Sequence, residues 1–228
     1  MIMAAIQAHS NSTRFPGKIY EKLAGKSILQ RVVESARDVV QNVVVLGVES
    51  DQELRDYCID NRIPVYLSKE PENDLVARYL DCMTAYRVAN VVRLTSDCPL
   101  LSVPMLDYCV RIHMTNQMDF TSNGWPLART APDGWDVEVI SQRLMLHVDK
   151  MAGTPYDREH CTSYIYWNEP ELVHSDHPFK LCNVKYGLQM DTPENKCSVD
   201  TPEDLERLRE RMDAKPASLS GIEEDRSK

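Results

Sequence analysis

The sequence predicts an α/β protein in which a mostly parallel sheet is covered by helices on both faces, a three-layer fold. Short β-branched runs alternate with stretches of helical periodicity, as in "NVVVLGV" at 42–48 and "DQELRDYCIDN" at 51–61. Four such strand–helix pairs follow one another in the first half of the chain. This βαβα rhythm indicates parallel strands connected by helices.

The elements are assigned in chain order. Strands are predicted at 2–8, 42–48, 63–68 and 91–96, and the helices that follow them at 27–39, 51–61, 73–89 and 103–114. In the less regular second half, we expect short strands at 119–123 and 136–141, helices near 141–152 and 158–167, one or two strands within 179–190, and a last helix at 202–214. We interpret residues 1–213 as one domain and the polar residues 214–228 as a frayed tail.

The composition limits the classes of function. The 228 residues are 43% hydrophobic, so a core can be buried, and the net charge of −9 argues against a general nucleic-acid binder, which would usually be basic. No apolar run approaches the roughly 18 residues of a membrane span, and the N-terminus lacks a signal-peptide pattern. The seven Cys form neither a CxxC pair nor a zinc spacing. Their odd number and scattered positions indicate reduced thiols and a cytoplasmic location.

The letters DTPE occur twice, at 191–194 and 200–203. The second copy is followed by an apolar helical face, and Thr201, Pro202 and Asp204 stand where a cap, a first helical residue and a capping-box carboxylate belong. The first copy precedes no such face and is interpreted as a turn between strands. The second copy therefore marks the start of the last helix.

Positive charge follows the first predicted strand, in the loop "AHSNSTRFPGK" at 8–18. Ligands of open α/β sheets bind beyond the carboxyl ends of the strands. Arg14 and Lys18, four residues apart, would place cations beside anionic oxygens, and the small residues let backbone N–H groups approach a phosphate. The loop has neither the P-loop nor the GxGxxG glycine pattern. A solvated loop with two incidental cations is the alternative interpretation.

A carboxylate ends the fourth strand in "RLTSDCPLL" at 93–101. Asp97 there can hold a divalent ion beside phosphates, because Mg²⁺ typically takes one or two protein carboxylates and fills its other positions with substrate and water oxygens. Asp97 and Asp200, both at predicted strand ends, fit that number, whereas Asp191 is interpreted as a turn residue. Capping alone would also explain either DTPE aspartate, so the ligand role stays open on spacing alone.

Six motifs together resemble a known family. In chain order they are AxxxSxRxPxK from 8, "NDLVARY" at 73–79, "TSDCPL" at 95–100, "PDGWDVEV" at 132–139, "REHCTSYIY" at 158–166 and "VDTPEDLE" at 199–206. The set resembles the cytidylyltransferases that include CMP-3-deoxy-manno-octulosonate and CMP-sialic acid synthetases, with most likeness to the branch of spore-coat polysaccharide biosynthesis protein F. The resemblance covers roughly residues 1–212 and implies a Rossmann-like, GT-A-like nucleotidyltransferase fold with a small dimerisation or acceptor insertion, and a homodimer.

The resemblance also implies roles for single residues. The triphosphate would meet Arg14 and Lys18, which together with Asp97 form the expected catalytic set. The other nucleotide-binding residues would be Ala8, His9, Ser10, Asp74 and Arg78. The metal ligands would be Asp97 and Asp200. The acceptor pocket or the dimer edge would contain Asp133, Asp136, Glu138, Arg158, Glu159 and His160. For residues 158–166, a helix start with packed tyrosines is an equal alternative.

Two positions depart from the family pattern. His9 stands where the family has Arg, and imidazole offers less to a phosphate than the charged fork of guanidinium. Ser96 replaces the glycine that is usual before the metal aspartate. His9 bears on triphosphate affinity, whereas Ser96 would tighten the loop or add a hydroxyl contact. Both substitutions bear on full family activity, and His9 is the main argument for a nucleotide-binding homologue without catalytic activity.

These observations lead to one functional hypothesis and two alternatives. We expect a cytoplasmic, Mg²⁺-dependent enzyme that couples CTP to an acidic sugar or a phosphorylated acceptor and releases pyrophosphate, without nucleic-acid or membrane partners. A GT-A type glycosyltransferase is one alternative, although its usual mid-chain DxD motif is absent and "DVEV" at 136–139 comes nearest to it. The non-catalytic nucleotide-binding homologue is the other.

Overall fold

The computed structural model describes residues 1–126, 128–187 and 189–213. Seven strands form one sheet, and two further strands form a short hairpin. In chain order the strands are β1 (Ile2–Gln7), β2 (Lys22–Leu23), β3 (Lys26–Ser27), β4 (Val43–Val48), β5 (Val65–Ser68), β6 (Asn90–Thr95), β7 (Phe120–Ser122), β8 (Glu138–Ser141) and β9 (Leu181–Asn183). The predicted tail at 214–228 lies outside the described residues.

Helices connect most of these strands. They are α1 (Ile28–Arg37), α2 (Gln52–Asp60), α3 (Leu75–Ala85), α4 (Val103–Asn116), α5 (Gln142–Met151), α6 (Pro155–Glu159), α7 (Ser163–Trp167), α8 (Glu169–His174) and α9 (Pro202–Asp213). No helix in the part of the chain that the structure describes combines the length and the apolar character that crossing a bilayer requires.

The sheet is mostly parallel, as predicted. Its strand order is β5-β4-β1-β6-β8-β7-β9. β5, β4, β1 and β6 are parallel to one another, and only β8 runs antiparallel to its two neighbours. The carboxyl ends of β1 and β6 therefore lie side by side at one edge of the sheet, where a doubly wound fold binds its ligands.

The apolar run of β1 is explained by burial on both faces. Ala4 and Ile6 belong to one core with α1, α2 and α4, whereas Met3 and Ala5 belong to a second core with α3, α5 and α7. All four side chains are fully buried. Strand side chains alternate between faces, so a central strand that is covered twice must be apolar at every position. The predicted fold class is confirmed.

Two helix starts contain a capping box, and the one at α9 was predicted from the sequence. At α1, Ser27 accepts from the Gln30 N–H at 3.0 Å, and the Ser27 N–H donates to the Gln30 side chain at 2.9 Å. At α9, the Asp204 N–H donates to the Thr201 hydroxyl at 3.3 Å, while the Asp204 carboxylate accepts from the Thr201 N–H at 3.2 Å. The predicted capping box before the last helix is confirmed.

The second half differs from the prediction in its details. The single helix expected near 158–167 is two short helices, α6 and α7, because His160 leaves the helical region at φ −100° and ψ 68°. The hairpin β2–β3 and the helix α8 were not predicted. These elements are only two to six residues long, too short for periodicity to reveal them.

Gly134 allows the loop between β7 and β8 to lie against the segment before α9. Its φ is +98°, and a Cβ at this position would lie 2.5 Å from the Ser198 nitrogen and 2.6 Å from the Cys197 carbonyl carbon. A hydrogen bond also joins the two segments, since the Cys197 N–H donates to the Asp133 carbonyl at 2.6 Å. The backbones approach too closely here for any side chain.

We predict that Gly134→Ala lowers the free energy of unfolding by about 3 kcal/mol, since both the positive φ and the backbone clash oppose the methyl group. Gly25→Ala is the matched control, because Gly25 also has positive φ (+81°) but open space around it. We expect a loss of about 1–2 kcal/mol for that variant. Urea unfolding of both variants provides the measurement, and equal losses would contradict the proposed contact.

Candidate active site

A cleft of about 770 Å³ opens at the carboxyl ends of β1 and β6. The loop after β1 forms one wall, and the residues at 95–97 form the floor beside it. Residues at 72–78, at the start of α3, and at 159–160, at the end of α6, form the opposite side. Asp200, just before α9, completes the rim.

Lys18 connects the two predicted metal ligands. Its Nζ lies 2.7 Å from an Asp97 carboxylate oxygen and 3.7 Å from an Asp200 carboxylate oxygen. It also donates to the Val199 carbonyl at 2.7 Å. Lys18 is only 7% exposed, because Gly17 adopts the left-handed conformation at φ 71° and the turn Lys18–Tyr20 directs the chain inward. The fold thus brings together two carboxylates that are far apart in sequence.

Neighbouring cations act on both carboxylates. Burial by itself raises the pKa of Asp97, but the charge and hydrogen bond of Lys18 outweigh it and hold the pKa below its usual value. Asp200 is held from both sides, by Arg14 at 2.8 Å and by Lys196 at 2.9 Å. Both carboxylates are therefore surrounded by positive charge.

The two DTPE copies occupy different surroundings. Asp200 lines the cleft. Asp191 lies away from the cleft, with its carboxylate 3.5 Å from the Arg129 Nε, and its motif runs into the short turn Pro193–Asn195. The first copy forms a turn as predicted, although the turn lies between β9 and α9 and not between two strands. Of the two aspartates, only Asp200 stands beside the cations of the first loop.

The donor set around Lys18 suits a magnesium ion that shares its coordination with a substrate. Within residues 1–126, 128–187 and 189–213, no three His, Cys, Asp or Glu side chains are grouped so as to hold a metal. Asp97 and Asp200 supply two carboxylates that face an open cleft, which is the protein contribution that Mg²⁺ typically uses beside phosphate oxygens. These two residues fit the ion, with the remaining oxygens coming from substrate and water.

Only some of the predicted residues in the loop after β1 line the cleft. Ala8 and His9 line it, although the Ala8 N–H already donates to the Leu46 carbonyl at 3.1 Å. Ser10 does not reach it, since both its N–H and its hydroxyl donate to Asp51, at 2.8 and 2.7 Å. Asp51 is the cap of α2. Ser10 therefore fixes the start of the loop against α2.

His9 and Asp74 lie on opposite sides of the α3 start. His9 Nδ1 is 3.7 Å from a Glu72 carboxylate oxygen, and both side chains are exposed. Asp74 caps α3. Its carboxylate also accepts hydrogen bonds from the Arg158 Nε at 3.0 Å and the Arg158 Nη2 at 2.7 Å. The bidentate pair joins α3 to α6, and both residues line a smaller separate cavity of about 470 Å³. The structure thus places Asp74 and Arg158 outside the main cleft.

The other five predicted acceptor residues separate into three groups. Glu159 and His160 line the cleft. Asp133 and Asp136 lie behind it, where Arg129 reaches Asp136 at 2.7 Å and Asp133 at 3.5 Å. Burial raises the pKa of Asp136, and Arg129 offsets this only in part. These two aspartates belong to the loop that packs on the segment before α9.

Glu138 forms the third group, in a buried network under the floor of the cleft. It accepts hydrogen bonds from Arg93 and from the Tyr166 hydroxyl. The Tyr166 hydroxyl also lies 2.8 Å from the Ser122 hydroxyl. Burial raises the pKa of Tyr166 well above its usual range, and the Glu138 carboxylate acts in the same direction. Glu138 thus orients Arg93, which itself lines the cleft.

Sequence reasoning missed three basic residues of this region: Arg93, Arg129 and Lys196. Arg93 left a signal, since it interrupts the apolar strand β6 and such a charge needs a partner. Lys196 and Arg129 left none, although each has a carboxylate partner four residues further on, Asp200 and Asp133. Both lie in irregular segments, where no helical or strand periodicity shows which side chains meet.

The chain is similar to known proteins of one family. The cytidylyltransferase family model matches residues 3–220. The chain is 25% identical over 217 residues to spore coat polysaccharide biosynthesis protein SpsF of Bacillus subtilis (strain 168), covering 91% of this chain and 85% of that protein. It is 23% identical over 235 residues to 3-deoxy-manno-octulosonate cytidylyltransferase of Solibacter usitatus (strain Ellin6076), covering 91% and 92%.

A solved structure is also similar. It is a cytidylyltransferase from Leptospira borgpetersenii serovar Hardjo-bovis (strain JB197), with 31% identity and a TM-score of 0.81, covering 91% of this chain and 84% of that chain. The resemblance inferred from the motifs is confirmed, including the likeness to the spore-coat branch. Together with a family match over nearly the whole chain, it shows that this protein belongs to the cytidylyltransferase family and is a CTP-dependent nucleotidyltransferase.

Proposed function

We propose that this protein is a Mg²⁺-dependent cytidylyltransferase that couples CTP to an acidic sugar or a phosphorylated acceptor and releases pyrophosphate, in the biosynthesis of a surface polysaccharide. The observation that carries the proposal is Lys18, whose ammonium group joins Asp97 and Asp200 at the end of a cationic loop. A triphosphate and a divalent ion need this combination of charges in one cleft.

The proposed mechanism depends on positioning and charge. The acceptor oxygen attacks the α-phosphorus of CTP, and the bond to pyrophosphate breaks. Arg14, whose side chain is 67% exposed, is free to turn toward the phosphates, and Lys18 provides a fixed cation in the cleft wall. Asp97 and Asp200 would hold Mg²⁺, which when bound supplies positive charge beside the phosphate oxygens.

The acceptor class, the cellular location and the oligomeric state are proposed from relatives, from the cysteines and from exposed apolar side chains. The acceptor class follows from the 3-deoxy-manno-octulosonate cytidylyltransferase relative and from SpsF. A cytoplasmic location is supported by the seven free thiols. A homodimer is supported by the family resemblance and by exposed apolar side chains on and between α5 and α7, which are Leu146, Met151, Tyr156 and Trp167.

One experiment separates this function from its alternatives. The full-length protein is incubated with each of four nucleoside triphosphates, Mg²⁺ and a panel of acidic sugars and sugar phosphates, and pyrophosphate release is recorded. We expect release with CTP and one acceptor class. Hydrolysis of a nucleotide sugar without pyrophosphate would favour a glycosyltransferase, and CTP binding without turnover on any acceptor would favour the non-catalytic homologue.

We predict that Asp200→Asn abolishes Mg²⁺-dependent turnover, with a loss of at least about a hundredfold in kcat, since the change removes a charged metal ligand. The control is Asp191→Asn, the same substitution in the other DTPE copy, which should retain most of the activity. Pyrophosphate release at saturating Mg²⁺ gives the rates. Comparable losses in both variants would refute the assignment of Asp200.

We predict that Cys98→Ser retains most of the turnover, although Cys98 is adjacent to Asp97. Burial raises the pKa of the Cys98 thiol well above its usual range, and the neighbouring carboxylate of Asp97 adds to the rise, so the thiolate is not formed at neutral pH. Turnover is compared with wild type, and intact mass is recorded after incubation with CTP. A covalent nucleotidyl adduct on Cys98 would contradict the direct mechanism.

A further inference from the structure

A row of polar side chains crosses one face of the sheet next to the cleft. Arg93 of β6 pairs in register with Glu138 of β8, and Glu138 pairs in register with Ser122 of β7. Cross-strand partners in antiparallel strands project from the same face of the sheet. The neighbours of the row on this face are apolar and include Val91 and Ile140. Arg93, at one end of the row, lines the cleft.

Tyr166 of α7 connects the other two members of the row. Its hydroxyl donates to the Glu138 carboxylate and lies 2.8 Å from the Ser122 hydroxyl. Burial raises the pKa of Tyr166 well above its usual range, so the hydroxyl keeps its proton at neutral pH. A hydroxyl has one proton, and that of Tyr166 goes to Glu138, because an ionised carboxylate can only accept. Ser122 must therefore donate to the Tyr166 oxygen.

The backbone fixes the far end of this chain of hydrogen bonds. The Gly124 N–H donates to the Ser122 oxygen at 2.9 Å. A Cβ at Gly124 would lie 2.9 Å from an Asp136 carboxylate oxygen and 3.7 Å from the Tyr166 hydroxyl oxygen, so a side chain here would crowd the network. The donors thus run in one direction, from Gly124 through Ser122 and Tyr166 to Glu138. Hydrogen bonds aligned in this way strengthen one another in a protein interior.

Arg93 is the second donor to Glu138, from the side of the cleft. Burial by itself lowers the pKa of Arg93, but the Glu138 carboxylate outweighs it, so the guanidinium is charged. The pair uses only Nη1. Among the described residues, Nη2 forms no hydrogen bond, and Nε is buried without a partner. Nη2 is therefore the donor that is left for a ligand in the cleft.

Stability alone does not account for this row. Taking two charges out of water costs free energy that their attraction often fails to return, and apolar side chains of similar volume are frequently as stable. The side chains of Arg93 and Glu138 are only 15% and 7% exposed, and apolar side chains surround them. A buried ion pair at the edge of a substrate cleft is better explained by a guanidinium that has to be held in one orientation.

We infer that Tyr166 is a positioning residue of the active site, which acts through Glu138 to hold the Arg93 guanidinium in one orientation toward the substrates. The inference rests on the proposed function, since its test records pyrophosphate release. Without the Tyr166 hydroxyl, one partner of the Glu138 carboxylate is lost, and the carboxylate can turn together with Arg93. A misplacement of about 1 Å in an active site can lower the rate about a hundredfold.

The test compares Tyr166→Phe, Arg93→Lys and the double variant. Tyr166→Phe removes one oxygen and keeps the edge-to-face packing on Phe120 and Trp125. The kcat/KM of each full-length protein is recorded by pyrophosphate release with CTP, Mg²⁺ and the acidic sugar or sugar phosphate that supports turnover. We expect Tyr166→Phe to lose about ten- to hundredfold. Tyr164→Phe, which removes the same hydroxyl from the same helix, is the matched control and should behave as wild type.

Arg93→Lys shows whether Tyr166 acts through Arg93. Lys keeps a positive charge beside Glu138, but its single ammonium cannot pair with that carboxylate and also present a planar fork to a ligand. We expect Arg93→Lys to lose at least as much kcat/KM as Tyr166→Phe does. Adding Tyr166→Phe to Arg93→Lys should lower kcat/KM by less than about twofold more, because two residues that act as one unit are not additive.

A purely structural role of Tyr166 predicts a different pattern. Tyr166→Phe would then lower the Tm and leave the kcat/KM of the folded protein unchanged, which would overturn the inference. The same factor of loss in the wild-type and the Arg93→Lys backgrounds would also contradict it, because Tyr166 would then act independently of Arg93. A wild type that releases no pyrophosphate with any acceptor would reject the proposed function and this inference with it.

Discussion

The cleft depends on a single buried ammonium group. Two carboxylates near each other repel, and repulsion raises the pKa of one of them. Lys18 prevents this, because its Nζ is 2.7 Å from Asp97 and 3.7 Å from Asp200. It can do so only because the turn at Gly17 directs the side chain inward and the Val199 carbonyl accepts from it. The two carboxylates are thus held near each other by a residue that is not itself one of the proposed metal ligands.

This arrangement requires the whole sheet. Lys18 follows β1, Asp97 follows β6, and Asp200 precedes α9, so the cleft exists only when β1 and β6 are paired and α9 is docked. Arg14 and Asp200 are 186 residues apart in sequence. The buried residues of β1 and the capping box of α9 therefore contribute to function through position. Close backbone contact at Gly134 also fixes the segment that leads to Asp200.

The sequence predicted the first half well because each strand there is apolar and each helix is amphipathic and capped. β1 and α1 are examples in which periodicity, caps and burial all agree. The short elements near His160 were mispredicted, since five or six residues carry too little periodicity. Within the site, Asp97 could be singled out by its place after a strand. Asp200 was expected at a strand end as well, but no described strand directly precedes it, and only the start of α9 that follows it was predicted correctly. The partners of Ser10 and Asp74 could not be predicted, because Asp51 and Arg158 are brought to them only by tertiary contacts.

Charge is distributed unevenly among the basic residues that line the cleft. Lys18 has Asp97 beside it, and Arg14 has Asp200. Arg93 is paired with the Glu138 carboxylate, whereas Arg78 donates to the carbonyls of Glu72 and Leu46. Fixed charges in a low-dielectric wall act strongly on a ligand. Because three of these four cations already have a carboxylate beside them, an anion in the cleft meets less net positive charge than the number of basic residues implies, and in the proposed function a divalent ion would supply the difference.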